Sequence, residues 1–181
     1  MSRLNPVQPE QASGKTRELL DAVKAKFKVV PNLTRVMANS PAVLQGYLSF
    51  SGALAGGALD PKLREQIAIE VAEQNSCQYC LSAHTAIGKM TGLTIEELDL
   101  ARSANSTAPQ TTAALQFARQ LVDTKGQVSE AEVEAVRRAG FSDAEIAEII
   151  AHVALNIFTN YFNVAAGVEV DFPKIALRKS A

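Results

Sequence analysis

An all-α fold is predicted by three features of this sequence. Helix-start signals recur along it: a serine or aspartate ahead of proline, or a serine or threonine followed three residues later by glutamate. No stretch alternates apolar and polar residues between hairpin turns. Alanine and leucine outweigh valine and isoleucine in most segments, a balance that favours helix over strand.

The elements follow in order. Residues 1–14 are polar with proline and glycine and are expected to form an irregular lead-in to one all-α domain over residues 15–181. From Thr16, the apolar Leu19, Leu20, Val23 and Phe27 keep helical spacing, and Val30-Pro31 ends that segment because proline pushes the residue before it out of the α region. Ser40-Pro41 supplies an N-cap with proline at the first helical position, opening a helix through Val43, Leu44, Tyr47, Leu48 and Leu54 that closes at Gly56-Gly57. Asp60-Pro61 repeats the signal and starts the helix carrying Glu65. Thr94 with Glu97, Ser129 with Glu132 and Ser142 with Glu145 each fit the capping box. An all-α fold is therefore expected. A faint internal repeat accompanies it: one constant shift puts Asn156, Thr159 and Asn163 where Cys77, Cys80 and His84 stand. Chance likeness between amphipathic helices would give the same match.

Bulk properties narrow the function classes. With 181 residues, 47% hydrophobic and 20% charged, the chain can bury a full core without disulfide staples or a structural metal. A net charge of −1 with no run of Lys or Arg leaves no electrostatic footprint for nucleic acid or for an anionic membrane. The N-terminus has no apolar signal-peptide core, and no apolar run approaches the length of a membrane span. A cytoplasmic protein is expected. In that reducing compartment a close cysteine pair is catalytic, redox-sensing or metal-binding rather than a permanent staple.

Both cysteines lie in one such pair, Cys77-Gln-Tyr-Cys80, with His84 just downstream. On a helix advancing about 100° per residue, Cys77, Cys80 and His84 fall within an arc of roughly 60°. Upstream, Lys62, Gln66, Glu70 and Glu73 would form a solvated helix face, while Glu65 falls among Leu63, Ile67, Ala68, Ile69, Val71 and Ala72. A carboxyl group is costly to ionise there, which suits it to hold or pass a proton; alternatively it complements the helix dipole and pairs with Arg64. Asn75 or Ser76 can cap a helix beginning near Cys77, and first-turn cysteines face unpaired N–H groups that stabilise a thiolate. An i, i+3 pair can close into a disulfide when the turn adjusts. Proximity to His84 favours Cys80 as the nucleophile. The helix dipole favours Cys77, nearer the N-terminus and expected to be more exposed. Zinc is the competing use, but Cys77, Cys80 and His84 give three ligands, and a fourth would have to come from His152 or Glu65. Two buried, inert cysteines are the other.

Glu65, Cys77, Cys80 and His84, separated by eleven, two and three residues, match the signature of the AhpD-like alkylhydroperoxidases, a branch of the carboxymuconolactone decarboxylase superfamily. The segment from Val30 to Leu44 also resembles the leader of the family's peroxidase-related members, and the likeness runs from about residue 16 onward. This resemblance implies an all-α fold of helical hairpins assembled as a homo-oligomer, a trimer or hexamer. It further implies that Glu65 and His84 relay a proton from Cys80, that Cys80 attacks a hydroperoxide and becomes a sulfenic acid, and that Cys77 condenses with it. A dithiol reductant, such as a lipoyl group, would then reduce the disulfide; no cofactor or metal is called for. One departure stands out, since Tyr79 replaces a second relay histidine, and a phenol is a poor base near neutral pH. Tyr79 either takes part in the chemistry or packs against a neighbouring subunit.

Two other functions compete with thiol peroxidase. Lactone decarboxylation, the chemistry of the wider superfamily, has no evident need for two thiols. A non-enzymatic redox-sensing oligomer would use the same disulfide to change its contacts.

Overall fold

The computed structural model describes residues 2–178, which form nine α-helices after one short 3-10 turn. The helices are α1 (Gly14–Phe27), α2 (Asn32–Met37), α3 (Pro41–Ala55), α4 (Pro61–Gln74), α5 (Gln78–Met90), α6 (Ile95–Ala101), α7 (Pro109–Asp123), α8 (Glu130–Arg138) and α9 (Asp143–Ala166). No strand occurs among the described residues. The last three positions of the expected domain, 179–181, lie outside them, as does residue 1.

Local sequence dictates most helix starts. Ser40 and Asp60 accept backbone N–H groups of the turns they open, with proline next in each case. At Thr94, Ser129 and Ser142 both halves of the capping box form, each satisfying donors that a helix end otherwise leaves unpaired. The lead-in departs from expectation. Pro9–Gln11 form a 3-10 turn, and Val7 N–H donates to the Arg35 carbonyl while Arg35 reaches back to Gln8, so the segment is tied to α2 rather than irregular throughout.

Two helices form the middle of the molecule. Helix α4 packs against α5, α6, α7 and α9, and α9 against α3, α4, α5, α7 and α8. That corrects the solvated face expected of α4. Lys62 is exposed, but Gln66 is buried, Glu73 binds Arg102, and Glu70 is wholly buried, held by Arg119 at 2.6 and 3.0 Å and by the Ala104 N–H at 2.9 Å. Helices α6 and α7 cover that side, and an arginine makes the buried carboxylate tolerable.

Helix α9 is long and apolar enough by composition to cross a membrane, which corrects the reading that no apolar run approaches that length. Half of its apolar window is buried inside the protein, and its inward face carries His152, Asn156, Thr159, Asn160 and Asn163. These polar groups face α4 and α5, and α9 is a core helix.

Candidate active site

Helices α4, α5 and α9 bring the four candidate residues into one region. Ala72 O accepts the Cys77 N–H as α4 ends, and the chain turns through Ser76, whose φ of 52° lies in the left-handed region. Neither Asn75 nor Ser76 caps α5. Cys77 does so itself, its Sγ accepting the backbone N–H of Cys80 at 3.4 Å. A sulfur in the cap position leaves Cys80 inside the first turn with Cys77 directly beneath it.

The two thiols are buried to 1% and 2% exposure, so the expected greater exposure of Cys77 is not observed. Their proton affinities diverge sharply. The Cys77 thiol donates to Cys80 and lowers it to about 6, against the opposing effect of burial and with further help from His84, Asn163 and Asn160. The same hydrogen bond, together with burial, pushes Cys77 well above an ordinary thiol. The hydrogen bond from Cys77 and the nearby His84 favour Cys80 over Cys77 as the thiolate.

His84 stands one helical turn beyond Cys80, and its Nδ1 lies 2.8 Å from Glu65 Oε2. Burial would lower the imidazole's proton affinity, but the Glu65 carboxylate and then the Cys80 sulfur outweigh it and hold His84 above its ordinary value. Arg64 does not pair with Glu65. It turns to the end of α3, where its Nη1 donates to Leu54 O at 3.0 Å and Ala55 O at 2.7 Å.

Tyr79 sits apart from this relay. Its hydroxyl accepts the Leu33 N–H at 3.2 Å and bonds to Asp171, and its ring meets Phe172 edge-on at 5.7 Å. Burial raises its proton affinity, against the opposing effect of the Leu33 N–H. Within this chain its packing partners are α2 and the C-terminal segment. Tyr79 holds the wall of the site.

Several site residues escape the sequence reading. Asn163 donates Nδ2–H to Cys80 Sγ at 3.1 Å, and Thr159 Oγ1 lies 4.0 Å from the same sulfur. Asn160 Oδ1 accepts from Asn75, fixing the start of the redox turn to α9. Thr159 and Asn163 are the residues that the internal shift aligned with Cys80 and His84, and in the fold they face the redox helix. The available signal was a polar i, i+3, i+4, i+7 row (Asn156, Thr159, Asn160, Asn163) on an apolar helix. Tyr47 of α3 is the other omission; burial, with Cys80 and Glu65 nearby, pushes its phenol up to about 12.

Two cavities flank this cluster. One, of about 250 Å³, is mainly apolar and presents Cys80 beneath Phe27, Leu33, Ile87 and Phe172. The other, of about 230 Å³, is lined by Arg64, Glu65, His152 and Ser51. Tyr47, His84 and Thr159 line both. Among the described residues no group of three or more His, Cys, Asp and Glu side chains could hold a metal ion.

A nine-helix fold with a buried cysteine pair and a carboxylate–imidazole pair is the class of protein these features define. Residues 41–123 match the model of the carboxymuconolactone decarboxylase family. The chain is similar to the AhpD core of a peroxidase-related protein from Ralstonia eutropha, at TM-score 0.85 and 26% identity, over 94% of this chain and 92% of that one. A peroxidase-related protein from a Silicibacter species has a TM-score of 0.78 and 23% identity over 92% and 87% of the two chains. A variant of the debrominase Bmp8, in complex with 2,3,4-tribromopyrrole, has a TM-score of 0.77 and 18% identity over 93% and 91%; at that identity the likeness bears on fold alone. No curated protein matches the chain significantly by sequence. By the family pattern over residues 41–123 and by fold over nearly its whole length, the chain resembles the AhpD-like proteins of the carboxymuconolactone decarboxylase superfamily.

Proposed function

We propose that this protein is a thiol peroxidase that reduces hydrogen peroxide or organic hydroperoxides through a Cys77–Cys80 dithiol/disulfide cycle. The observation that carries the reading is the arrangement around the two sulfurs: Cys77 caps the turn beneath Cys80, Asn163 Nδ2 lies 3.1 Å from Cys80 Sγ, and His84, bound to Glu65 at 2.8 Å, follows one turn on, which together favour a lowered Cys80 and a raised Cys77. At neutral pH one sulfur is then a nucleophile and the other a proton donor.

In the first step the Cys80 thiolate attacks a peroxide oxygen and the O–O bond breaks. The leaving oxygen takes a proton from His84, which Glu65 holds as imidazolium, and Cys80 becomes a sulfenic acid. Cys77 then gives up its S–H proton and attacks the Cys80 sulfur, and the sulfenic hydroxyl leaves with that proton as water. Two thiols are oxidised and one peroxide is reduced. A dithiol reductant, of lipoyl type in this proposal, restores the pair by thiol–disulfide exchange. Asn163 stabilises the thiolate before attack, and Tyr47 closes the site from α3.

A cytoplasmic location and a homo-oligomer, trimer or hexamer, belong to the same proposal. The exposed apolar residues Ile150, Phe158, Tyr161 and Val164 along α9 support the assembly. Hydroperoxide consumption driven by a dithiol tests the chemistry. Cys80→Ser should abolish turnover, whereas Cys77→Ser should still oxidise one Cys80 per chain to a sulfenic acid that mass spectrometry can trap. Full turnover by the Cys80→Ser protein would overturn the reading.

A further inference from the structure

We propose that the polar cavity beside His84 is a carboxylate-binding subsite, in which Arg64 and His152 hold the acidic end of the substrate, so that the hydroperoxide reduced at Cys80 is a carboxylate-bearing one. The substrate class rests on the peroxidase reading; the subsite does not.

Arg64 is the first support. Its two hydrogen bonds, to Leu54 O and Ala55 O, both leave from Nη1 and fix the guanidinium plane against the end of α3. No hydrogen bond leaves Nε or Nη2, and no ion pair reaches Arg64, among the described residues. Nε and Nη2 form the side edge of the guanidinium, the edge that binds a carboxylate through two parallel N–H···O bonds. A fixed cation with that edge free lines a cavity of about 230 Å³, room for the head of a small organic acid.

His152 is the second. It lines the same cavity at 7% exposure, and its Nε2 is buried without a hydrogen-bond partner among the described residues. Burial and the charge of Arg64 keep the imidazole neutral, so it adds a polar contact without adding repulsion. Buried polar atoms are rarely left unsatisfied.

The charge balance decides the sign of the ligand. Glu65 also faces this space, but its Oε2 is bound to His84 Nδ1 at 2.8 Å. Glu148, which stands near Arg64 and His152, spends both oxygens on the backbone N–H groups of Ala58 and Leu59 at 2.8 and 2.9 Å. Among the described residues Arg64 is the cation lining this cavity that makes no ion pair, and a single carboxylate matches its free edge. Ala55, Ala68 and Leu155 complete an apolar wall that suits the carbon chain behind such a head group. Because Tyr47, His84 and Thr159 border this cavity and the Cys80 cavity alike, a molecule gripped at Arg64 lies against the imidazole that serves Cys80.

Calorimetric titration of the full chain with hexanoate and with hexanamide tests the subsite without any turnover. Hexanoate should bind at least about tenfold more tightly, about 1.4 kcal/mol. Arg64→Gln should bring hexanoate down to the level of hexanamide without changing hexanamide, and Cys80→Ser should leave both unchanged. Equal affinities for the two probes in the unmodified protein overturn the subsite, whether or not the Arg64 variant folds. A carboxylate-terminated alkyl hydroperoxide compared with its methyl ester tests the substrate class: kcat/KM should favour the acid about tenfold, and the ratio should fall to about one in Arg64→Gln. An equal ratio in the unmodified protein overturns that class. Selective hexanoate binding with no turnover of either peroxide would sink the peroxidase reading and leave the subsite standing.

Discussion

Cys80 owes its low proton affinity to neighbours that each act through one atom, so single substitutions should move it separately. Titration of the thiolate absorbance in the ultraviolet should show a midpoint near pH 6 that is missing in Cys80→Ser. Cys77→Ala should raise that midpoint most, because the Cys77 thiol is the largest influence on it. Asn163→Leu should raise it less, by about one pH unit, since a hydrogen bond to a charged group is worth about 1.5–3 kcal/mol and water replaces part of it. The direction for catalysis follows. Peroxide reactivity should rise as pH passes upward through about 6, where Cys80 loses its proton. It should decline again above the ordinary histidine range, because Glu65 keeps the His84 proton bound beyond that point. Glu65→Gln should pull the declining limb to lower pH. A profile unchanged in Glu65→Gln would remove His84 as the proton donor.

Among the elements, α4 gains most from partners that its own sequence does not announce. Its Glu70 carboxylate is fully buried, while about a third of the Arg119 side chain remains exposed. Loss of either partner should therefore be unequal. Arg119→Met leaves a carboxylate in the core with the Ala104 N–H as its remaining partner and should cost about 3 kcal/mol in denaturant unfolding. Glu70→Gln leaves a cation that can turn to water and should cost about 1 kcal/mol. Reversal of that order would mean that the pair is not the source of the stability. The same contrast explains what was legible beforehand. Starts marked by Ser40-Pro41, Asp60-Pro61 and the three capping boxes were readable because the cap and the N–H groups it satisfies lie within three residues. Helices α2 and α7 have Pro31 and Ala108 in the cap position with no side-chain hydrogen bond, and Pro109 at the first helical position of α7 is the one local mark of either start. The burial of Glu70 depends on α7, some 50 residues away, and the amides around Cys80 depend on α9, farther still. The four-residue pattern from Glu65 to His84 was readable for a different reason: its members share one helical hairpin, so spacing alone brings Glu65 onto His84.

For the whole molecule, the way α9 ends limits what its outer face can do. Arg3 Nη1 donates to the carbonyls of Val164 and Ala165, and Arg3 N–H to that of Ala166. With Gly167 turning the chain at φ 59°, the polar groups at the C-terminal end of α9 are satisfied within the chain. What remains outside is apolar. Ile150, Phe158, Tyr161 and Val164 recur at spacings of eight, three and three residues, on one side of the helix, and are exposed by 44%, 40%, 60% and 49%. A contiguous apolar stripe of this kind favours contact with a matching surface, and in closed homo-oligomers a patch near a symmetry axis meets its own copy. A charge in its middle should oppose that contact without disturbing the fold, because Tyr161 is the most exposed of the four. Sedimentation velocity should give a trimer or hexamer for the unmodified protein and a monomer for Tyr161→Glu, with unchanged helical circular dichroism and a thiolate midpoint still near pH 6. A monomeric unmodified protein would refute the assembly. A Tyr161→Glu variant that stays fully assembled would move the interface off α9.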